Sequence, residues 1–256
     1  MNDPYIDPHT GILRNLVHAK TAEQLTELES AIITARAIQL DAHPIRGTFS
    51  LAHLQDIHHH LFQDVYDWAG QLRTVTIYKL NDPGSGFMPA SRLQVGADYV
   101  FAQIKERNYL RGLDPQRFIH RLAETFDQIN HLHPFREGNG RTQRIFTSQL
   151  AHQAGYRIDW EQLTPHRNVE ASRDGETALR GVFDDIVSPL NPGQKRAENP
   201  ASSALNVGRT SRQADIIAAA YPKPISEMLK KQPRQPQAPK PLPPEPGRDR
   251  CPGLER

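Results

Sequence analysis

The chain has 256 residues, with 31 Lys/Arg against 29 Asp/Glu and a formal net charge of +2. That length suits one ordinary domain with an appendage, and the near-balance of charge announces neither a nucleic-acid nor a membrane partner. The single cysteine, Cys251, excludes an internal disulfide or a cysteine-built zinc cage, and no run of about 18 apolar residues offers a membrane span.

The charge is unevenly spread. Residues 191–256 hold 12 Lys/Arg against 6 Asp/Glu, so a basic tail follows a mildly acidic body. The N-terminal stretch Met1-Asn2-Asp3-Pro4-Tyr5 has neither the basic nor the apolar region of a secretory signal, so the expected location is the cytoplasm.

From the N-terminus, Thr21 and Gln24 form a capping box ahead of Leu25, Leu28, Ile32, Ala35 and Ile38 at helical spacing. Ser50 caps a second predicted helix whose inner face is Leu54, Ile57, Leu61, Val65 and Trp68, with Gly70 as its stop. Residues 72–79 alternate and are rich in β-branched side chains, which predicts a strand. The turn cluster 81–86 follows, with Phe87-Met88 beginning the return strand. A third helix is expected over 92–107, around Leu93, Tyr99, Val100 and Ile104. A fourth starts at Asp114-Pro115 and carries Phe118, Leu122, Phe126 and Ile129. A fifth runs from Arg141 to about Gln153, and a last one over 176–187 carries Leu179, Val182, Phe183 and Ile186. The expected fold is therefore mainly α with one β-hairpin laid on the helices. Beyond about Pro192 the composition changes, with 12 of the 21 prolines in 191–256, and disorder is expected there except for a short helix over 211–231.

The chemistry-bearing stretch is 133–144, His-Pro-Phe-Arg-Glu-Gly-Asn-Gly-Arg-Thr-Gln-Arg. Pro134 stops the preceding helix near His133. Gly138-Asn139-Gly140 can bring backbone N–H groups close to an anion at the start of the next helix. Arg141 and Arg144, three apart, share a face and can clamp outer phosphates. Glu137 is an oxygen ligand placed to hold Mg²⁺. The His133 imidazole can take a proton from an attacking hydroxyl, and Phe135 anchors the loop in the core. A base, a metal ligand, an anion cradle and two guanidiniums within one short segment suit phosphoryl or nucleotidyl transfer, which is largely positioning and charge stabilisation.

This segment resembles the signature of the Fic family, His-x-Phe-x-Asp/Glu-Gly-Asn-Gly-Arg-x-x-Arg, with every specified position filled. The stretch 64–70 followed by Arg73, Ile77 and Lys79 resembles the helix and flap hairpin that precede the family's motif. Asn2-Asp3-Pro4-Tyr5 and 154–160 resemble bacterial toxins and host-targeted effectors of the group. The resemblance covers about residues 1–190. It implies a Fic-type helical bundle (core about 50–187, flap about 71–90) that transfers AMP from ATP to a Tyr, Thr or Ser hydroxyl of a target protein. His133 would then be the base and Glu137 would orient Mg²⁺. Gly138, Asn139 and Gly140 would cradle the α- and β-phosphates, Arg141 would meet the β-phosphate and Arg144 the γ-phosphate. Lys79, Leu80 and Phe87 on the flap would contact the target backbone or the nucleotide.

Members of the family carrying an inhibitory Ser/Thr-x-x-x-Glu-Gly/Asn helix block the second motif arginine. Here Ser172–Glu176 is followed by Thr177, so inhibition is expected in trans, from a small antitoxin-like protein. The run His58-His59-His60 cannot converge on one metal ion, because successive helical side chains point about 100° apart. The Pro/Lys tail could dock as polyproline II, act as a linker, or serve as a basic export signal like those of type IV secretion effectors. Two other functions remain open at this point: a related kinase or phosphocholine transferase, and a non-catalytic nucleotide- or peptide-binding module.

Overall fold

The computed structural model describes residues 3–79 and 82–191, together with Ala201, Ala204 and Leu205. Internal contacts divide the chain into Met1–Asp215 and Ile216–Arg256, and the second unit lies outside the described residues, as does the whole of the expected 211–231 helix. No helix among the described residues is long and apolar enough to cross a membrane.

The first unit is mainly helical, with α1 (Ala22–Ala42), α2 (Leu51–Phe62), α3 (Leu93–Glu106), α4 (Pro115–Leu132), α5 (Asn139–Ala154), α6 (Pro165–Asp174) and α7 (Glu176–Ile186). A hairpin, β1 (Tyr78–Lys79) with β2 (Asp82–Gly86), interrupts α2 and α3. A second antiparallel pair, β3 (Tyr156–Ile158) with β4 (Val187–Pro189), closes the far end. The caps explain where helices begin. Thr21, Ser50, Asp114 and Thr164 each accept from the backbone N–H three residues on, satisfying a donor that the helix itself leaves orphaned.

The central helix is α4. It packs against α3, α5 and α7, and its Phe118, Leu122, Phe126 and Ile129 are all buried, as its spacing predicts. Phe126 meets Phe183 of α7 edge-on at 5.4 Å, and both lie near Trp160.

Several expectations need correction. The inner face of α1 is shifted from the predicted one: Leu25 and Ala35 are buried as predicted, but Glu29, Ile33, Arg36, Ala37 and Leu40 are buried with them, and Leu28 is exposed. Apolar periodicity missed this because two of the buried positions are charged and paired inside the protein. Helix α2 ends at Phe62, and the buried Val65 and Trp68 sit on the irregular turn after it. Tyr99 of α3 is exposed. Strand geometry over 72–79 is confined to Tyr78–Lys79, and its partner is 82–86, the stretch read as a turn. With only two strands, laddering persists only beside the connection, and residues 72–77 are held by other contacts. Helix α6 and the β3–β4 pair were not foreseen, although Thr164-Pro165 repeats the cap-plus-proline signal of Asp114-Pro115. Ala201 and Ala204 lie in the segment expected to be mostly disordered and are buried in the core, where the Ala201 N–H donates to Asp41 Oδ1 at 2.9 Å; this adds to that expectation and does not overturn it.

Candidate active site

The site lies where α4 ends and α5 begins. His133 caps α4 with φ of 43°, a left-handed conformation uncommon outside glycine, as suits a residue kept from helical geometry by Pro134. Its N–H still bonds to Ile129 O, and its carbonyl accepts from Arg73 Nε at 2.8 Å. The Phe87 ring lies over the His133 ring, centroids 3.7 Å apart and 17° from parallel, so the flap covers the imidazole.

The segment read as a Gly-Asn-Gly loop is instead the first turn of α5, which starts two residues earlier than expected. Gly138 is its N-cap, with φ of 80°, and no side chain caps the N–H groups of that turn. Those donors and the positive end of the helix dipole make this terminus a ready anion site. Gly140 has open space at the position a Cβ would take, leaving the backbone approachable. At Gly138 the space is filled by the protein itself, because a Cβ there would collide with the Phe62 ring.

Asn139 is buried, and its side chain is fully committed. Oδ1 accepts from the Phe135 N–H at 2.8 Å and Nδ2 donates to the Phe135 carbonyl at 2.7 Å. It staples the turn shut, so its side chain holds the loop while its backbone N–H stands in the uncapped first turn. Phe135 is fully buried, as expected, and stacks on His58 at 3.8 Å.

Arg141 pairs with Glu29 of α1 and, at 3.4 Å, with Glu137, and its guanidinium lies 4.9 Å above the Phe62 ring. Glu29 in turn accepts from the Tyr66 hydroxyl. Burial, with the Glu29 carboxylate second, pushes the Tyr66 phenol up, so it remains a proton donor. Arg144 differs. Its Nε is shielded from solvent and has no hydrogen-bond partner among the described residues. Burial, then the neighbouring Arg141 charge, lowers its pKa.

Glu137 accepts from the Gly138 N–H at 2.8 Å, and its side chain is 44% exposed. No group of three metal-ligating side chains forms among the described residues. One half-exposed carboxylate beside an uncapped helix N-terminus fits Mg²⁺, which keeps most of its waters and shares phosphate oxygens. Lys79 lies in β1, and its side chain is outside the described residues, as is Leu80 entirely.

Two contributors escaped the sequence reading. His58 is wholly buried between Phe62 and Phe135. Its Nδ1 accepts from the Gly70 N–H at 2.8 Å, so the hydrogen is on Nε2, which donates to the Glu137 carbonyl at 3.0 Å. Desolvation lowers its pKa to about 3 and keeps it neutral. The other is Glu29. The histidine run is thus three separate staples, since His59 bonds the Ala69 carbonyl and His60 the Arg36 carbonyl. Glu176 faces His120 at 3.5 Å, so the Ser172–Glu176 segment presents its glutamate to α4.

Known proteins can be set beside this geometry. Residues 48–151 match the Fic/DOC family. The chain is 43% identical over 171 residues to the protein adenylyltransferase VbhT of Bartonella schoenbuchensis, covering 67% of this chain but 35% of that protein. It is 37% identical over 191 residues to a probable protein adenylyltransferase Fic of Escherichia coli, covering 73% of this chain and 92% of the relative. Among solved structures, the N-terminal Fic domain of a Bartonella quintana effector with bound ADP superposes with a TM-score of 0.67 at 29% identity, covering 73% of this chain and 95% of the other.

Proposed function

This chain belongs to the Fic/DOC family, and from that premise we propose that it transfers AMP from ATP to a hydroxyl side chain of a target protein. The observation that carries the reading is Arg144: its shielded Nε has no hydrogen-bond partner among the described residues, and it lies on the helix whose uncapped N-terminus follows His133 in the chain. Burying a cation unpaired is costly, and an anionic ligand at that place removes the cost.

The residues divide the work as follows. The target hydroxyl oxygen attacks the α-phosphorus of ATP, the bond from that phosphorus to the β-bridging oxygen breaks, and pyrophosphate leaves. His133 takes the hydroxyl proton as the new P–O bond forms. The N–H groups of Asn139, Gly140 and Arg141 hold phosphate oxygens, with Arg141 on the β- and Arg144 on the γ-phosphate. Mg²⁺, held by Glu137 and the phosphates, would neutralise charge that builds on the leaving group. The flap, with Phe87 over the base, presents the target strand, and the resemblance assigns contact with that strand or with the nucleotide to Lys79 and Leu80. Restraint in trans by a small antitoxin-like protein, and export through a type IV system, belong to the same proposal and rest on likeness to toxins and effectors.

The test is an affinity series. Wild-type protein binds ATP more tightly than ADP and ADP more tightly than AMP, and Arg144→Ala removes the preference for ATP over ADP while His133→Ala keeps it. Equal binding of all three nucleotides by wild type would refute the placement of the phosphates.

A further inference from the structure

Arg73 lies outside the motif, yet it touches more of the site's backbone than any residue in the motif does. It is 2% exposed, in the extended stretch between Gly70 and β1. Nε donates to the His133 carbonyl at 2.8 Å, Nη1 to the Val75 carbonyl at 2.6 Å, and Nη2 to the Leu132 carbonyl at 3.3 Å and to the Met88 carbonyl. Its backbone N–H donates to the Pro134 carbonyl at 2.9 Å, and the Met88 N–H donates to the His131 carbonyl at 2.9 Å.

These acceptors come from three segments. Val75 is on the outgoing leg of the flap and Met88 on the returning leg. Leu132 and His133 are the last carbonyls of α4, which the helix leaves unsatisfied. We propose that Arg73 is a positioning residue for transfer: its guanidinium ties both legs of the flap to the C-terminal end of α4, and so sets the distance between a hydroxyl presented by the flap and the His133 ring. This rests on the reading of the flap and of His133 given above.

The chemistry of the side chain suits the task. A guanidinium is a rigid planar fork with five N–H donors, so one group can hold four carbonyls in fixed directions. A lysine ammonium is a point charge with three rotatable donors and cannot reproduce that frame. An arginine that served packing alone would have no need to join the catalytic residue's own carbonyl to the two flap legs. Phe87, next to Met88 on the tied leg, stacks on the His133 ring and reports whether the frame is intact.

The experiment compares full-length wild type, Arg73→Lys and Arg73→Ala. Thermal unfolding and ATP affinity establish folding and the nucleotide site. The His133 ring-proton resonance, assigned by its absence in His133→Ala, reads the Phe87 stack, and the rate of α-label transfer from ATP to proteins of a bacterial lysate reads function. Arg73→Lys is expected to stay folded and bind ATP within about twofold of wild type. Its His133 resonance should shift away from the ring-stacked position, and transfer should fall about 100-fold, the scale of a 1 Å misplacement. Arg73→Ala should lose at least as much. Transfer at the wild-type rate in Arg73→Lys overturns the proposal, and so does a loss that only follows weaker ATP binding with the resonance unmoved. Wild-type protein that binds ATP and transfers nothing would refute the functional reading instead, while the resonance would still judge the tie.

Discussion

Replacing Gly138 by alanine perturbs the site at its tightest point. The residue has φ of 80°, and an added Cβ would press into three atoms of the Phe62 ring, the farthest of them, Cε1, at 2.9 Å. Left-handed geometry costs an L-residue about 1–2 kcal/mol. Forcing an extra carbon into a packed core costs about 1–3 kcal/mol more, so Gly138→Ala should destabilise by about 2–5 kcal/mol, a large share of a typical total of about 5–15 kcal/mol. Phe62 cannot yield freely, because it stacks on His58 and carries the Arg141 guanidinium on its face. Denaturant unfolding of wild type, Gly138→Ala, Phe62→Leu and the double variant separates the contributions. Removing the ring should recover the crowding part, giving a favourable coupling of about 1–3 kcal/mol, while the backbone part remains. A Gly138→Ala protein within about 0.5 kcal/mol of wild type, the range of harmless surface changes, or a double variant that is merely additive, would refute the reasoning.

Other consequences can be measured alongside. Glu29→Ala strips the partner from the buried Tyr66 hydroxyl and from Arg141, and should cost about 2–4 kcal/mol by denaturant unfolding, with Glu29→Gln nearer 1 kcal/mol. The same variants should weaken ADP binding severalfold and leave AMP unchanged by calorimetry, because the proposed mechanism puts Arg141 on the β-phosphate. His58 and His60 are held neutral by burial, with pKa lowered to about 3 and about 4 against about 6.5 when unfolded. The unfolded chain therefore takes up protons first. Stability should be full above about pH 6.5 and fall, by about 1.4 kcal/mol per pH unit for each histidine, as pH drops toward 4; a urea midpoint unchanged between pH 7.5 and 5 would contradict this. Gly140→Ala, with open space at its Cβ, should unfold like wild type yet bind ATP more weakly, as a difference in nucleotide affinity at equal stability would show.

The sequence was most informative where function is written in consecutive residues. From His133 to Arg144 the helix stop, the glycines, the carboxylate and the arginines are neighbours in the chain, so local rules place them together. It was least informative where the site depends on distant partners. His58 reaches the Glu137 carbonyl across 79 positions, and Arg73 reaches His133 across 60. No periodicity encodes a side chain that bonds to a remote backbone. The inner face of α1 failed for a related reason. Glu29 and Arg36 are charged yet buried, because Arg141, Tyr66 and Asp64 satisfy them, and a count of apolar positions assigns such residues to solvent. Helix α6 is announced by Thr164-Pro165, a cap followed by a proline at the first turn. The hairpin's existence could be read, but its register depends on contacts with the end of α4.

The central claim is that AMP moves from ATP to a protein hydroxyl with His133 as the base. Purified protein is incubated with Mg²⁺, host-cell lysate and ATP labelled at the α- or the γ-phosphate, beside His133→Ala. Protein bands labelled from the α-phosphate only, and absent with the variant, are the expected result. Label arriving from the γ-phosphate would make the chain a kinase, and label from neither, despite bound ATP, would reduce it to a nucleotide-binding module.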